Sequence, residues 1–505
     1  MSAAVQWVPE GQPRPAALGV ETNGINVISE AERKGTPRQL FFPWFAANVS
    51  VLGLTYGSFV LGFGISFWQA IFAGVIGIIA SFLLCGFVAV AGKRGSAPTM
   101  ILSRAAFGVR GTKLPAFVSW VLCVGWETVL TYLSVEATST VLQRLGVASG
   151  NSVRLAAFVV VAVLIVGAGV LGFDMIMRLQ GAITVVTAVL TVMFFALAAS
   201  KIHWPAVSGL QGGSAEAMIG ALVFVMSALG LGWINSAADY SRYLPRSAKA
   251  SGVIGWTTFG ASAAPVLLII MGLLLAGSSK SLNSAISGSD PIGALAALLP
   301  TWFLVPFMIV AVLGLVGGAV LDIYSSGLAL LTVGLRAPRW VAAGIDGIIM
   351  VAGAIYLVFF SHDFVPKFEG FLTTLAVPIS AFGGIMLADL YHRRRPYSET
   401  DLYSPAGRYG SVRYLSLGLL VAATVLGWGT VTNTAWGRVL SWQGYLLGPL
   451  GLGGKSGIWA QSDLGVVFAL GLAFVGWLIL GGFTVRAQEA DEAPSRSTAR
   501  VGASR

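Results

Sequence analysis

Runs of mainly apolar residues, each about 20 or more long and almost free of acid or base, recur from one end of the chain's middle to the other. A bilayer core about 30 Å thick is crossed by about 20 such helical residues, and only helices or closed barrels satisfy their backbone in lipid. Twelve spans are expected, at Phe41 to Ile65, Phe67 to Ala91, Ala116 to Leu142, Leu155 to Phe173, Leu179 to Ser200 and Ala217 to Ala238 for the first six. The second six are Gly252 to Ala276, Trp302 to Gly334, Trp340 to Phe360, Phe371 to Tyr391, Tyr414 to Trp436 and Leu464 to Gly482. The eighth is too long for a perpendicular crossing and must tilt or project. Charged residues are only 10% of the chain, against about 25% in soluble domains, so an ordinary water-soluble globule is excluded.

The formal charge of +10 invites a nucleic-acid reading until the basic residues are sorted by loop. With the N-terminus inside, 24 of the 31 Lys and Arg fall on the cytoplasmic side. That asymmetry is the positive-inside pattern of an inner (plasma) membrane protein with both termini cytoplasmic, and it leaves no separate basic patch. Cys85 and Cys123 both lie in apolar spans, which predicts neither a disulfide framework nor a metal site. The polar first 40 residues, with Pro9, Pro13 and Pro15, show no cleavable signal peptide. They read as a cytoplasmic tail, and residues 483–505 as a disordered one.

Two glycine clusters, Gly53-Leu54-Thr55-Tyr56-Gly57 in span one and Gly230-Leu231-Gly232 in span six, occupy corresponding places if five helices form a repeat. Transporters built from inverted repeats break such helices near mid-membrane; close packing is the alternative use of these glycines.

Phe42-Pro43-Trp44-Phe45-Ala46-Ala47-Asn48 opens span one, Gly125-Trp126 lies in span three, and Gly232-Trp233 precedes Ala238-Asp239-Tyr240-Ser241-Arg242-Tyr243-Leu244-Pro245. Asp322-Ile323-Tyr324-Ser325 in span eight, Phe368-Glu369-Gly370-Phe371-Leu372 at span ten and Val20-Glu21-Thr22-Asn23-Gly24-Ile25 ahead of span one complete the pattern. In order and placement these motifs resemble the nucleobase-cation symporter family (purine-cytosine permease-like), which carries cytosine, purines and related flat heterocycles. The resemblance covers about four-fifths of the chain. It implies a leucine-transporter-like all-α fold: inverted five-helix repeats over 41–200 and 217–391, two further helices over 414–482, and a substrate site between spans one, three, six and eight.

Trp126 and Trp233 sit deep in their spans, whereas tryptophan usually collects at membrane interfaces. Their indole faces can stack on a planar heterocycle, a role the resemblance assigns to these positions; core packing is the alternative. Asp322 is an intramembrane carboxylate, costing about 3 kcal/mol or more to insert unless paired or hydrated. On a helix it shares a face with Gly318, Leu315 and Ser326, a possible polar groove. The family usually has asparagine here. The aspartate is read as a substrate acceptor and proton carrier, with a structural ion pair as the alternative. Ser50, Gly232, Ala46 and Val49 fall where relatives contact substrate and cation, and the carbonyl of Leu313 belongs to the same cation region.

Sodium-dependent relatives add paired Ser and Thr oxygens in span eight, but Val316 and Gly317 stand there, which favours a proton over sodium as the coupling cation. Glu127 and Glu136 are candidate relays, Asp239 and Arg242 a candidate i,i+3 pair, and Asp346 and Asp389 have no assigned role. His203, His362 and His392 lie in loops or at span ends. No nucleophile paired with a buried histidine and no phosphate-binding glycine loop is present, so an enzyme is not expected, nor a cofactor. A channel or non-transporting receptor is the rival of another class, and sodium-coupled uptake of allantoin, hydantoin, uracil or thiamine-like compounds the rival within transport. The oligomeric state is not legible.

Overall fold

The computed structural model describes residues 20–147, 149–288, 290–360, 364–433 and 437–490, excepting the side chains of 364–369 and 437–438. Every regular element among them is helical. Span one is a bent pair, α1 (Phe41–Asn48) and α2 (Leu52–Leu61), which with the turn before α1 makes an angle of 67°. Then come α3 (Phe67–Gly95), α4 (Lys113–Arg144), α5 (Asn151–Leu171) and α6 (Phe173–Ala198). Span six starts as α7 (Ala215–Ala228), breaks at Leu229 and continues as a 3-10 stretch, Gly230–Ser236. The second half adds α8 (Ala250–Ser278), α9 (Leu304–Val333), α10 (Arg339–Phe360) and α11 (Phe364–His392). Two last helices are α12 (Tyr414–Trp428) and α13 (Leu464–Ala490).

Among the described residues ten helices are long and apolar enough to cross a bilayer, eleven with the bent pair. The expected Tyr414 to Trp436 span is instead the 15-residue α12, about 22 Å long and short of the hydrocarbon thickness, and residues 434–436 lie outside the described ones.

Both interruptions fall where expected in the fold, but the first is displaced from its glycines. The chain leaves the helix at Val49, whose φ −84° and ψ +65° are non-helical. Gly53 and Gly57 lie beyond, inside α2, where a Cβ on Gly53 would press on the Leu268 side chain and one on Gly57 would strike the Gly272 backbone of α8. They are packing glycines. In span six, Gly230 lets the chain pass the α3 backbone at Ser81 and Phe82.

The termini depart from the tail reading. Residues 20–40 form an ordered strap across one end of the bundle, and Ile28 and Leu40 are buried there. At the other terminus α13 runs to Ala490, and Gln488 is buried, accepting from Arg393 and donating to the Ala105 carbonyl. The stretch 483–490 is therefore helical rather than disordered.

Candidate substrate and coupling site

The break between α1 and α2 leaves the Ala46 and Val49 carbonyls directed at α9. A Cβ on Gly317 would run into the Ala46 oxygen and one on Gly314 into the Val49 oxygen. Larger residues there would force the two helices apart. Half-buried Leu313 immediately precedes this contact. On the third side, Gln180 of α6 is fully buried; its amide donates to the Gly317 carbonyl at 2.7 Å, and its Oε1 has no hydrogen-bond donor among the described residues.

The interrupted span six is fastened at the same level. Asn235 donates to Ser119 Oγ (2.7 Å) and Cys123 Sγ (3.6 Å) of α4, one turn before Trp126. Tyr240 donates to the Leu321 carbonyl (2.8 Å) and meets Ser325 Oγ (2.9 Å), on either side of Asp322. Trp233 stands edge-on to Trp44, with ring centroids 5.7 Å apart and planes at 84°, and Trp44 is also edge-on to Tyr240. Fully buried Trp44 thus sets the attitude of Trp233.

These ties bring α1, α4, span six and α9 together around Ser50, Trp126, Gly232, Trp233 and Asp322. Ser50, Trp126, Gly232 and Trp233 are half-buried, although Val49, Glu127, Leu231 and Ile234 beside them are buried. A Cβ on Gly232 would meet nothing within 4 Å. These four residues are therefore partly accessible beside buried neighbours. Ser50 uses its hydroxyl oxygen locally, accepting from Leu52 N at 3.3 Å, as a serine at a helix break can.

Asp322 is 4% exposed, and among the described residues no base pairs with it. The structural ion pair therefore finds no partner among those residues. Its helix face is not an open groove, because Leu130 and the Ala47 carbonyl crowd Gly318, and Leu315 and Ser326 are buried. Glu127, fully buried, has no hydrogen-bond donor at either oxygen among the described residues, and Asp322 and Asp346 are its charged neighbours. Glu136 is tied to Arg154 at 3.1 Å. Asp389 forms a two-bond pair with Arg393 at the end of α11. His203 lies in the connection before α7 and His392 meets the Leu478 carbonyl, while His362 lies outside the described residues.

Asp239 and Arg242 do not pair with one another as expected. Asp239 accepts from Thr99 N and Oγ1, both at 2.8 Å, and Arg242 turns to Glu21 (2.7 Å), the Tyr324 hydroxyl (2.7 Å) and the Gly24 carbonyl (2.6 Å). Glu21 also accepts from Tyr243 and Phe173 N and lies 3.4 Å from Arg339. The single-residue link Gly172, at φ +92°, lets α5 and α6 pass close enough for this, since a Cβ there would strike Glu21 and Arg339. The strap thereby closes one end of the bundle beneath Asp322.

The family described as permeases for cytosine/purines, uracil, thiamine and allantoin matches residues 27–442. The chain belongs to this family. Among its relatives, the permease is 24% identical over 420 residues to a protein of Bacillus subtilis named putative purine-cytosine permease, covering 81% of this chain and 88% of that one. It is 28% identical over 386 residues to the cytosine permease of Escherichia coli K12, covering 73% and 81%. Its fold matches Mhp1, a nucleobase-cation-symport-1 family transporter in a closed conformation with bromovinylhydantoin bound, at TM-score 0.68 and 18% identity over 93% of this chain and 96% of that one. The inward-facing conformation of Mhp1 scores 0.63 at 17% identity, covering 94% of each chain. The permease is thus a multi-pass membrane transporter of the leucine-transporter-like fold, and the resemblance read from its motifs holds.

Sequence reasoning passed over three contributors. Glu21 and Trp44 stood inside quoted motifs without a role, and Gln180 carried no signal beyond being an amide in an apolar run.

Proposed function

We propose that the permease is a secondary active symporter that imports a planar nucleobase-like heterocycle, cytosine or a purine, together with a proton. Trp126 and Trp233 supply stacking faces, Gly232 leaves room for the ring, and Ser50 and Asp322 read its polar edge. Asp322 is the proton carrier. Its carboxyl is buried with no base against it among the described residues, and it takes a proton when the site closes and releases it when water enters. The protein sits in the plasma membrane with both termini in the cytoplasm, so the Glu21 strap lies at the cytoplasmic mouth.

The observation that carries the cation assignment is Gln180. Its N–H occupies the Gly317 carbonyl, and Val316 and Gly317 offer no side-chain oxygen, so the pocket beside Ala46, Val49 and Leu313 is short of hard ligands. One detail favours a second reading. The orphan Gln180 Oε1 lies near the same point as the Ala46 carbonyl, and these oxygens could begin a sodium shell.

Uptake of labelled cytosine, adenine, uracil, allantoin, hydantoin and thiamine under separate proton and sodium gradients tests both. The proposal expects saturable cytosine or purine accumulation that a protonophore abolishes and sodium does not restore. Accumulation that follows sodium at fixed pH would establish the second reading, and uptake of none of these would end the assignment.

A further inference from the structure

Below Asp322 lies a second set of acids that no account of the substrate site uses. Three helices meet there in register: Trp120 of α4, Ser326 of α9 and Asp346 of α10 each stand seven residues, about 10 Å, from the helix ends at Lys113, Val333 and Arg339. Gly334 and the Lys113 ammonium adjoin at that end, which aligns the levels. Trp120 Nε1 donates to Asp346 Oδ1 at 2.8 Å, and Ser326 Oγ donates to Asp346 Oδ2 at 2.9 Å. All three side chains are held.

Glu127 stands two turns higher on α4, and a helical side chain leans toward its own N-terminus, here toward Ser326. The Ser326 hydroxyl lies beside the Glu127 carboxyl. Its geometry sends its proton to Asp346 or the Ile323 carbonyl, so both Glu127 oxygens remain without a donor at zero exposure. A carboxylate so placed is severely penalised, whereas a carboxylic acid can donate to the free lone pair of Ser326 Oγ.

The facing charged groups are few. α9 presents Asp322, α10 presents Asp346, α4 itself adds the Cys123 thiol, and Asp239, held by Thr99, is the next acid. α5 has only Arg154, tied to Glu136 near the far end, and the described side chains of α11 have Asp389 and His392 at the strap end. Among the described residues no base neutralises the cluster, and no His, Cys, Asp and Glu group has the arrangement of a metal site.

Resting on the proton-symport reading, we infer that Glu127, Ser326 and Asp346 form a proton relay that carries the coupling proton from Asp322 toward the strap end of the membrane. Glu127 receives the proton from Asp322 when substrate leaves. Its O–H bond then breaks as Ser326 Oγ takes that proton, and the Ser326 O–H bond breaks as its own proton passes to Asp346 Oδ2. Glu127 becomes the carboxylate and Asp346 the acid, with no change in oxidation state, and Asp346 gives the proton up when the strap opens to water. Trp120 keeps the Asp346 carboxyl turned to Ser326.

The test uses the full chain in proteoliposomes with tritiated cytosine and an imposed pH gradient. Wild type must accumulate cytosine with the gradient; failure here would remove the symport reading and the relay with it. Given that, Glu127→Gln is expected to bind cytosine within about threefold of wild type by thermal shift but to lose about tenfold or more in accumulation. Ser326→Ala is expected to slow proton-driven uptake about tenfold while leaving the final ratio intact, with Ser326→Thr restoring the rate. A proton-driven ratio and pH profile unchanged in Glu127→Gln would overturn the relay while leaving Asp322 as carrier. So would a Ser326→Thr protein as slow as the alanine variant.

Discussion

The permease buries two groups of charged side chains and treats them in opposite ways. At the strap end, Glu21, Arg242 and Arg339 are buried together, and the one carboxylate serves two guanidiniums, two tyrosine hydroxyls and a backbone N–H. Higher up, Asp322, Glu127 and Asp346 are buried with no cation against them among the described residues. A cross-linked group of both signs holds one arrangement of the backbone, as a lock does. An acid group lacking a counterion changes its state by gaining or losing protons, as a carrier must.

The lock should break with the largest effect. Glu21→Ala leaves two buried guanidiniums without their acid, a loss of about 3 to 5 kcal/mol for removal of one partner of a buried pair. The expected result is a marked fall in thermal stability of the substrate-free protein and faster thiol labelling of a cysteine placed on the strap; unaltered labelling would make the network mere packing.

Next come the stacking faces. Trp126→Ala and Trp233→Ala should each reach the membrane and lose about 1 to 3 kcal/mol of binding, roughly five- to hundredfold in affinity by radioligand titration. Trp233→Ala should suffer more, because Trp44 then loses its edge-on partner as well. Equal affinities in both variants and wild type would return the tryptophans to the core.

A smaller effect is expected from Gly232→Ala, where the added methyl meets no protein atom and so should spare folding while weakening substrate binding. Measured melting temperature and affinity should separate: the first unchanged, the second reduced. The smallest is expected from Glu136→Gln. Its partner Arg154 is about one-third exposed, and such pairs contribute about 0 to 1 kcal/mol, so uptake and stability should stay near wild type.

The spans were legible because lipid imposes length and apolarity on every crossing, whatever its neighbours. What tertiary partners decide was not. The break in span one sits at Val49 rather than at Gly53 because glycine serves close packing as readily as a bend, and α8 claims Gly53 and Gly57. Asp239 and Arg242 have the right spacing to pair, yet Thr99 and Glu21, far off in sequence, offer each a better partner. The strap looked like a tail because its polar residues are ones that stay in water unless opposite charges await them. Of the candidate site, the deep tryptophans and Asp322 could be picked out by their unusual depth. Gln180 could not, since its part depends on facing a carbonyl of another helix.

The contrast between lock and carrier rests on protons moving with substrate. In sodium-free proteoliposomes enclosing a pH-sensitive dye, added cytosine should acidify the lumen as it enters with wild-type protein, and Asp322→Asn should still bind cytosine without moving protons. Cytosine entry with no proton movement in wild type, or equal proton movement in Asp322→Asn, would contradict the account.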